Sequence, residues 1–381
     1  MTLTTGSIMK IPIYATPLLA TFFCAPTFAG LISIGSAEDF TVLANTYNSG
    51  GAGSTVHGNV IAKTYASTGN GSTIHGDFRS GDVLTLGDGA TVNGNAESKE
   101  AGTATANTLV TGNLVTGGVG TMGDSAHVKG NFISGLDGTI GANAILDGNW
   151  EVGAGSVAAA SASSNRNNSD AVDTDIAYLH SVLDDIEDDM LQATNDLISA
   201  GLSLSAMVST QPTLAPTFTT TGTLIAGVYD AASWSTTAGT TLTLDGQGQD
   251  DAMWVFNIED ILAFGGVSTV ELFNVGSNAR VFWNVRNGYT TLGDGADIVG
   301  TIIAKDYVMV GANATVMHAS AADGNCAGVY STTSYVSIGA NAVVGGAGCS
   351  STSVPEPGTN TILALGLLMG FVKRKHFKKT A

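Results

Sequence analysis

The strongest constraint on this chain is a period of 18 residues. Gly58, Gly76, Gly94, Gly112, Gly130 and Gly148 recur at that interval. Asn59, Asp77, Asn95, Asn113, Asn131 and Asn149 follow them, and two positions before each glycine stand Val56, Ile74, Val92, Val110, Val128 and Leu146. Two positions after each come Val60, Phe78, Ala96, Leu114, Phe132 and Trp150. Five positions before each lies a turn former: Gly53, Gly71, Gly89, Asn107, Ser125 or Asn143. A unit this short cannot bury a core alone. It suits one rung of a β-solenoid, whose inward aliphatics stack on those of the next rung about 4.8 Å away. Glycine and asparagine at the corners supply left-handed backbone conformations.

The pattern stops and returns. "TLGDGATVNGN" at 85–95 is echoed by "TLGDGADIVGT" at 291–301. The segment 283–300 aligns with 77–94, 301–318 aligns with 59–76, and a last rung is expected at 329–346. The fold class expected is therefore an all-β solenoid of about 18 residues per rung, with extra rungs over 41–150, returning rungs over about 218–346, and the middle of the chain inserted between them. That middle contains a stripe, Ile176, Leu179, Leu183, Ile186, Met190, Ala193 and Leu197, at helical spacing. It predicts a helix over about 173–200, with Asp173 as N-cap and Gly201 as the stop, lying along the solenoid's side. Asp184, Asp185, Glu187, Asp188 and Asp189 lie mostly off the stripe. They do not follow a calcium-loop spacing and read as a solvated helix face.

The two ends read as sorting signals. Lys10, an apolar run from Ile11 to Phe23 and Thr27-Phe28-Ala29 make a signal peptide over 1–29, cut after Ala29. The segment 351–381 carries Pro355-Glu356-Pro357, an apolar run from Thr361 to Val372 and a basic cluster ending in Lys378 and Lys379. It resembles a PEP-CTERM sorting signal. The resemblance implies an exosortase as partner, transient anchorage in the inner membrane of a Gram-negative cell, and final location at the cell surface or outside. Without these ends the body, 30–350, keeps 8 basic against 31 acidic residues. Such a charge repels nucleic acid and anionic membranes. Cys326 and Cys349 remain as an even pair in an oxidising compartment and are expected to form a disulfide, with two free thiols as the alternative.

A further resemblance is carried by Ala226-Gly227-Val228-Tyr229, Leu242-Thr243-Leu244-Asp245-Gly246, Trp254-Val255-Phe256-Asn257-Ile258, Val281-Phe282-Trp283-Asn284-Val285 and Gly300-Thr301-Ile302-Ile303-Ala304-Lys305. These stretches, with the opening "AEDFTVLANT", are similar to the bacterial and fungal ice-binding proteins built as a β-solenoid with a flanking helix. The likeness spans most of 36–346, and the additional rungs between about 60 and 150 depart from it. It implies an ice or water surface as partner and no cofactor.

One column gives that implication a place. Ser49, Ser67, Thr85, Thr103, Thr121 and Thr139 stand nine residues before the corner glycines; Thr291 and Ser337 continue the column and Met309 breaks it. A hydroxyl row at rung spacing is a candidate ice-binding face; serine and threonine also simply suit exposed strand positions. Thr55, Thr73 and Thr91 form a second, shorter row. His57 and His75 share a column without a third metal ligand, and no metal is expected. No Ser-His-Asp order, HExxH, CxxC or phosphate loop is present, so the chain is not read as an enzyme. The competing reading is a non-catalytic adhesin or biofilm matrix protein that meets extracellular polysaccharide.

Overall fold

The computed structural model describes residues 32–153, 156–158, 163–164, 173–317 and 327–346. Three parallel sheets of 12, 13 and 13 strands, here A, B and C, run the length of a three-sided solenoid. The first rung, Phe40–Ala44, Tyr47–Gly50 and Thr55–Val56, does not lie at an end. On one side it pairs with the second rung. On the other it pairs with the last, Val329–Ser331, Val336–Ile338 and Val343–Val344. The chain thus starts mid-stack, climbs to one end, and returns by a helix to the far end. It then climbs again until its last rung meets its first. The segment 217–344 builds the second half of the stack, so what lies between the two runs of rungs is the helix and its connections.

The period follows from what each column must do. Val92, Val110 and Val128 pair in register and are wholly buried, so the aliphatic columns point inward. The turn former five places earlier takes the left-handed conformation: φ is 68° at Gly89, 58° at Asn107, 57° at Ser125 and 55° at Asn341. The glycine that marks the period has another reason to be glycine. Gly76, Gly94, Gly112, Gly130 and Gly148 are not left-handed; a Cβ on Gly94 would stand 2.5 Å from the Gly76 carbonyl oxygen. The Asn/Asp that follows hydrogen-bonds between rungs. The backbone N–H of Asn113 donates to Asn95 Oδ1 (2.9 Å), and that of Asn131 donates to Asn113 Oδ1 (2.8 Å). Each of these half-buried corner amides is thereby satisfied.

The returning rungs keep the 18-residue interval between Thr291 and Met309, but most of them are longer. Trp254 pairs with Val281, 27 positions on, and Ile302 with Val329. The wider core is filled by aromatics, with Phe256 stacked on Trp283 at 4.1 Å and Trp234 at 5.8 Å from Trp283.

The helix, Asp173–Ser205, runs a turn beyond the stop expected at Gly201. Asn284 Nδ2 donates to the Gly201 carbonyl and to Ser205 Oγ, and Asn257 Nδ2 donates to the Leu204 carbonyl, so sheet A itself caps the last turn. Leu179, Leu183, Ile186, Met190, Ala193 and Leu197 are buried against the outer side of sheet A, where Leu43, Ile61 and Val115 are buried too. Thirty-three residues span about 50 Å, and twelve rungs about 53 Å, so one helix returns the chain from end to end. The acidic face is not wholly solvated: Asp189 and Glu97 flank the Arg79 guanidinium, and Glu187 pairs with Lys99. Burial pushes the Glu97 carboxyl up, against the pull of Arg79.

Candidate functional site: the outer face of sheet B

Of the three faces, A is covered by the helix. Face C is uneven: its outward column runs His127, Leu109, Thr91, Thr73, Thr55, Val343, Thr315, Asp297, Thr269. Charged Lys129, Asp147 and Glu271 stand nearby, and His127 Nε2 is 2.9 Å from Asp147 Oδ2. The expected second hydroxyl row, Thr55, Thr73 and Thr91, lies on this mixed face.

Face B gathers the expected column into one line. Strand register runs Thr139, Thr121, Thr103, Thr85, Ser67, Ser49, Ser337, Met309, Thr291. All eight hydroxyl residues are at least partly exposed, and Met309 interrupts them at 42% exposure. The row continues through Ala263 to Ser235 and Thr217. The sequence reading missed those two because the returning rungs abandon the 18-residue spacing. Ser49 Oγ donates to Ser337 Oγ at 3.2 Å, across the seam between first and last rungs.

Two further columns flank the row. On one side lie Gly51, Gly69, Gly87, Thr105, Gly123 and Gly141, continued by Gly339, Gly311, Gly293 and Gly265; Thr105 turns its hydroxyl back to the Leu86 carbonyl. A Cβ on Gly69 would stand 2.3 Å from the Gly51 backbone, and one on Gly339 2.5 Å from that of Gly311. Apart from Thr105, that margin is therefore bare backbone and flat. On the other side stand Val83, Ala101, Val119 and Asp137 in the early rungs and tyrosines in the middle ones. Across the three columns Asp137 is the one charged residue, in a chain of net charge −18. With this single charge on so acidic a surface, the face presents an ordered array of methyls and hydroxyls.

His57 and His75 stack at 4.6 Å, and desolvation by burial, with the neighbouring His75, lowers His57. Among the described residues no three His, Cys, Asp or Glu side chains are grouped to hold a metal ion. The signal peptide, Cys326, Cys349 and the sorting motif Pro355, Glu356 and Pro357 lie outside the described residues.

The family model described as Ice-binding-like matches residues 96–344, well over half of the chain. This protein belongs to the Ice-binding-like family. The match leaves out the first three rungs, so the family pattern takes in the later early rungs, the helix and the entire returning half. Among solved structures, a Shewanella frigidimarina ice-binding protein domain is 17% identical, covering 83% of this chain and 98% of its own, with a TM-score of 0.45. An ice-binding protein from the Antarctic ascomycete Antarctomyces psychrotrophicus is 16% identical over 83% of this chain and 98% of its own, at 0.43. A glycosylated ice-binding protein from an Arctic yeast is 15% identical over 85% of this chain and 95% of its own, at 0.42. No curated protein matched the sequence.

Proposed function

We propose that this protein is a non-catalytic ice-binding protein whose ice-binding face is the outer side of sheet B, centred on Thr85, Thr103, Thr121 and Thr139. The observation that carries this reading is the uninterrupted, in-register threonine tract on a flat, nearly charge-free face, in a chain of the Ice-binding-like family. Threonine hydroxyls spaced at about 4.8 Å along the axis anchor a regular water layer, and their methyls hold its cage. The triple variant Thr85→Tyr/Thr103→Tyr/Thr121→Tyr raises bulk on the flat tract without entering the core. It is expected to abolish inhibition of ice recrystallisation with its melting temperature unchanged. A folded triple variant with full activity would assign the ice face elsewhere, and a wild-type protein that leaves ice growth untouched would end the functional reading.

We further propose that the chain is exported by its first 29 residues and held in the inner membrane by 351–381 until an exosortase acts near Pro355-Glu356-Pro357. The apolar run followed by basic residues supports this order. Removing 354–381 is expected to release the protein into the medium, as read by cell fractionation; retention of the truncated chain in the membrane fraction would place the anchor elsewhere.

A further inference from the structure

Beside the hydroxyl row, face B carries a feature that the threonine tract does not need. Tyr289, Tyr307, Tyr335 and Tyr47 form a continuous ladder, with ring centroids 4.5, 5.0 and 4.7 Å apart and planes within 11° of parallel. Tyr65 follows Tyr47 in the strand register and extends the column to five rungs. None of these rings belongs to the hydrophobic core, and Tyr47 and Tyr65 are each 39% exposed. Folding does not call for them, because the same column continues as Val83, Ala101 and Val119 in rungs that pair equally well.

We propose that this tyrosine ladder and the Ser67, Ser49, Ser337 and Thr291 row beside it form a second binding strip, for a neutral polysaccharide chain lying along the solenoid axis. Each inner ring has both faces against its neighbours, so solvent meets ring edges and phenol hydroxyls. A hydroxyl both donates and accepts. The strip therefore offers two parallel rows, roughly 7 Å apart along the strand with rungs about 4.8 Å apart along the axis, the Ser/Thr row being broken by Met309 in the rung of Tyr307. Burial raises the Tyr307 and Tyr335 phenols, which stay protonated at neutral pH. A partner matched to such rows repeats hydroxyls along an extended chain, with apolar C–H edges between them. Charge selects among such chains. The two rows carry no ionic side chain while the whole protein is strongly acidic, so an anionic polymer is repelled and a neutral one is not. The tyrosines also stand taller than the serines, so the face is stepped here and flat at the threonine tract. This separates the strip from the surface assigned to ice.

Depletion of the full chain from solution by two insoluble neutral glucans, microcrystalline cellulose and curdlan, tests the proposal, with sulfated cellulose as the charged comparison. Binding to at least one neutral glucan and none to the sulfated one is expected. Tyr307→Ala/Tyr335→Ala is expected to weaken it about tenfold or more. Replacing Tyr47, Tyr65, Tyr307 and Tyr335 together by Phe keeps the stack and removes the hydroxyls, and so decides the matter should the alanine variant not fold. This variant too is expected to bind more weakly. Absence of binding to both neutral glucans, preference for the sulfated one, or undiminished binding by the folded variants overturns the proposal. Ice recrystallisation inhibition is read on the same samples and is expected to survive the tyrosine changes. A protein inactive on ice that still binds glucan through the ladder overturns the ice reading alone.

Discussion

At the scale of single residues, two demands explain most of the repeat, and they are easily confused in the sequence. The turn between sheets B and C needs a left-handed residue, which Gly89, Asn107 and Asn313 supply at little cost. The corner between C and A needs the absence of a side chain, because neighbouring rungs approach there within Cβ distance. One residue breaks the first rule: Val267 occupies the left-handed turn position with φ of 50° and is 63% exposed. A β-branched residue in that region costs about 1–2 kcal/mol, with no burial to offset it. Val267→Asn, matching Asn313 and Asn341, is therefore expected to stabilise the fold by about 1 kcal/mol in denaturant unfolding. A neutral or destabilising result would show that the valine is held there by something other than turn geometry.

At the scale of elements, the helix is the piece whose role sequence periodicity suggests and tertiary contacts define. Its stripe marks it as amphipathic. What the stripe covers is a second apolar layer, the outward Leu43, Ile61 and Val115 of sheet A, distinct from the solenoid core. This explains why sheet A is buried on both sides whereas sheet B alternates. Within the layer, Arg79 lies between Glu97 and Asp189 and fixes the helix's position along the stack. Leu183 lies over Gly117, whose lack of a side chain makes room for it. Leu183→Ala is expected to cost about 2–5 kcal/mol of unfolding free energy, the range for buried aliphatics that leave a cavity. A loss below about 1 kcal/mol would mean that the helix rests on the solenoid without contributing to its stability.

At the scale of the whole molecule, the helix and the stack are matched in length, and the match can be tested by shortening both. At one end of the stack Leu179 meets Gly135, Leu183 meets Gly117 and Glu187 meets Lys99, so there one rung corresponds to four helical residues, whereas towards the other end Gly201 and Leu204 meet Asn284 and Asn257, three residues for one rung. Deleting 113–130 removes one full period and joins Gly112 to Asn131 with every column in phase. Alone, it shifts the helix out of step with the rungs on one side of the cut, and a clear fall in melting temperature is expected. Deleting 180–183 as well should restore most of that fall, since Leu179 again lies one step from Glu187. Failure of the second deletion to recover stability would refute this correspondence.

The sequence alone determined the elements that repeat locally: the rung and its inward columns, the left-handed turns, the amphipathic helix and the outward hydroxyl column. Each is a periodicity that the chain must write out, because side chains alternate along a strand and recur every 3.6 residues along a helix. The chain's path was not legible, since parallel pairing leaves no mark of which rung is a neighbour. Only the tertiary structure decided that Val329–Ser331 lies beside Phe40–Ala44 and that the first rung sits inside the stack. The choice of face was likewise tertiary. Any exposed column looks alike in sequence, until packing covers sheet A with a helix, scatters charge over sheet C and leaves the threonine tract of sheet B uncovered. The tyrosine ladder escaped notice for the same reason: Tyr47, Tyr335, Tyr307 and Tyr289 are scattered along the chain and become one object only when the two ends of the repeat meet.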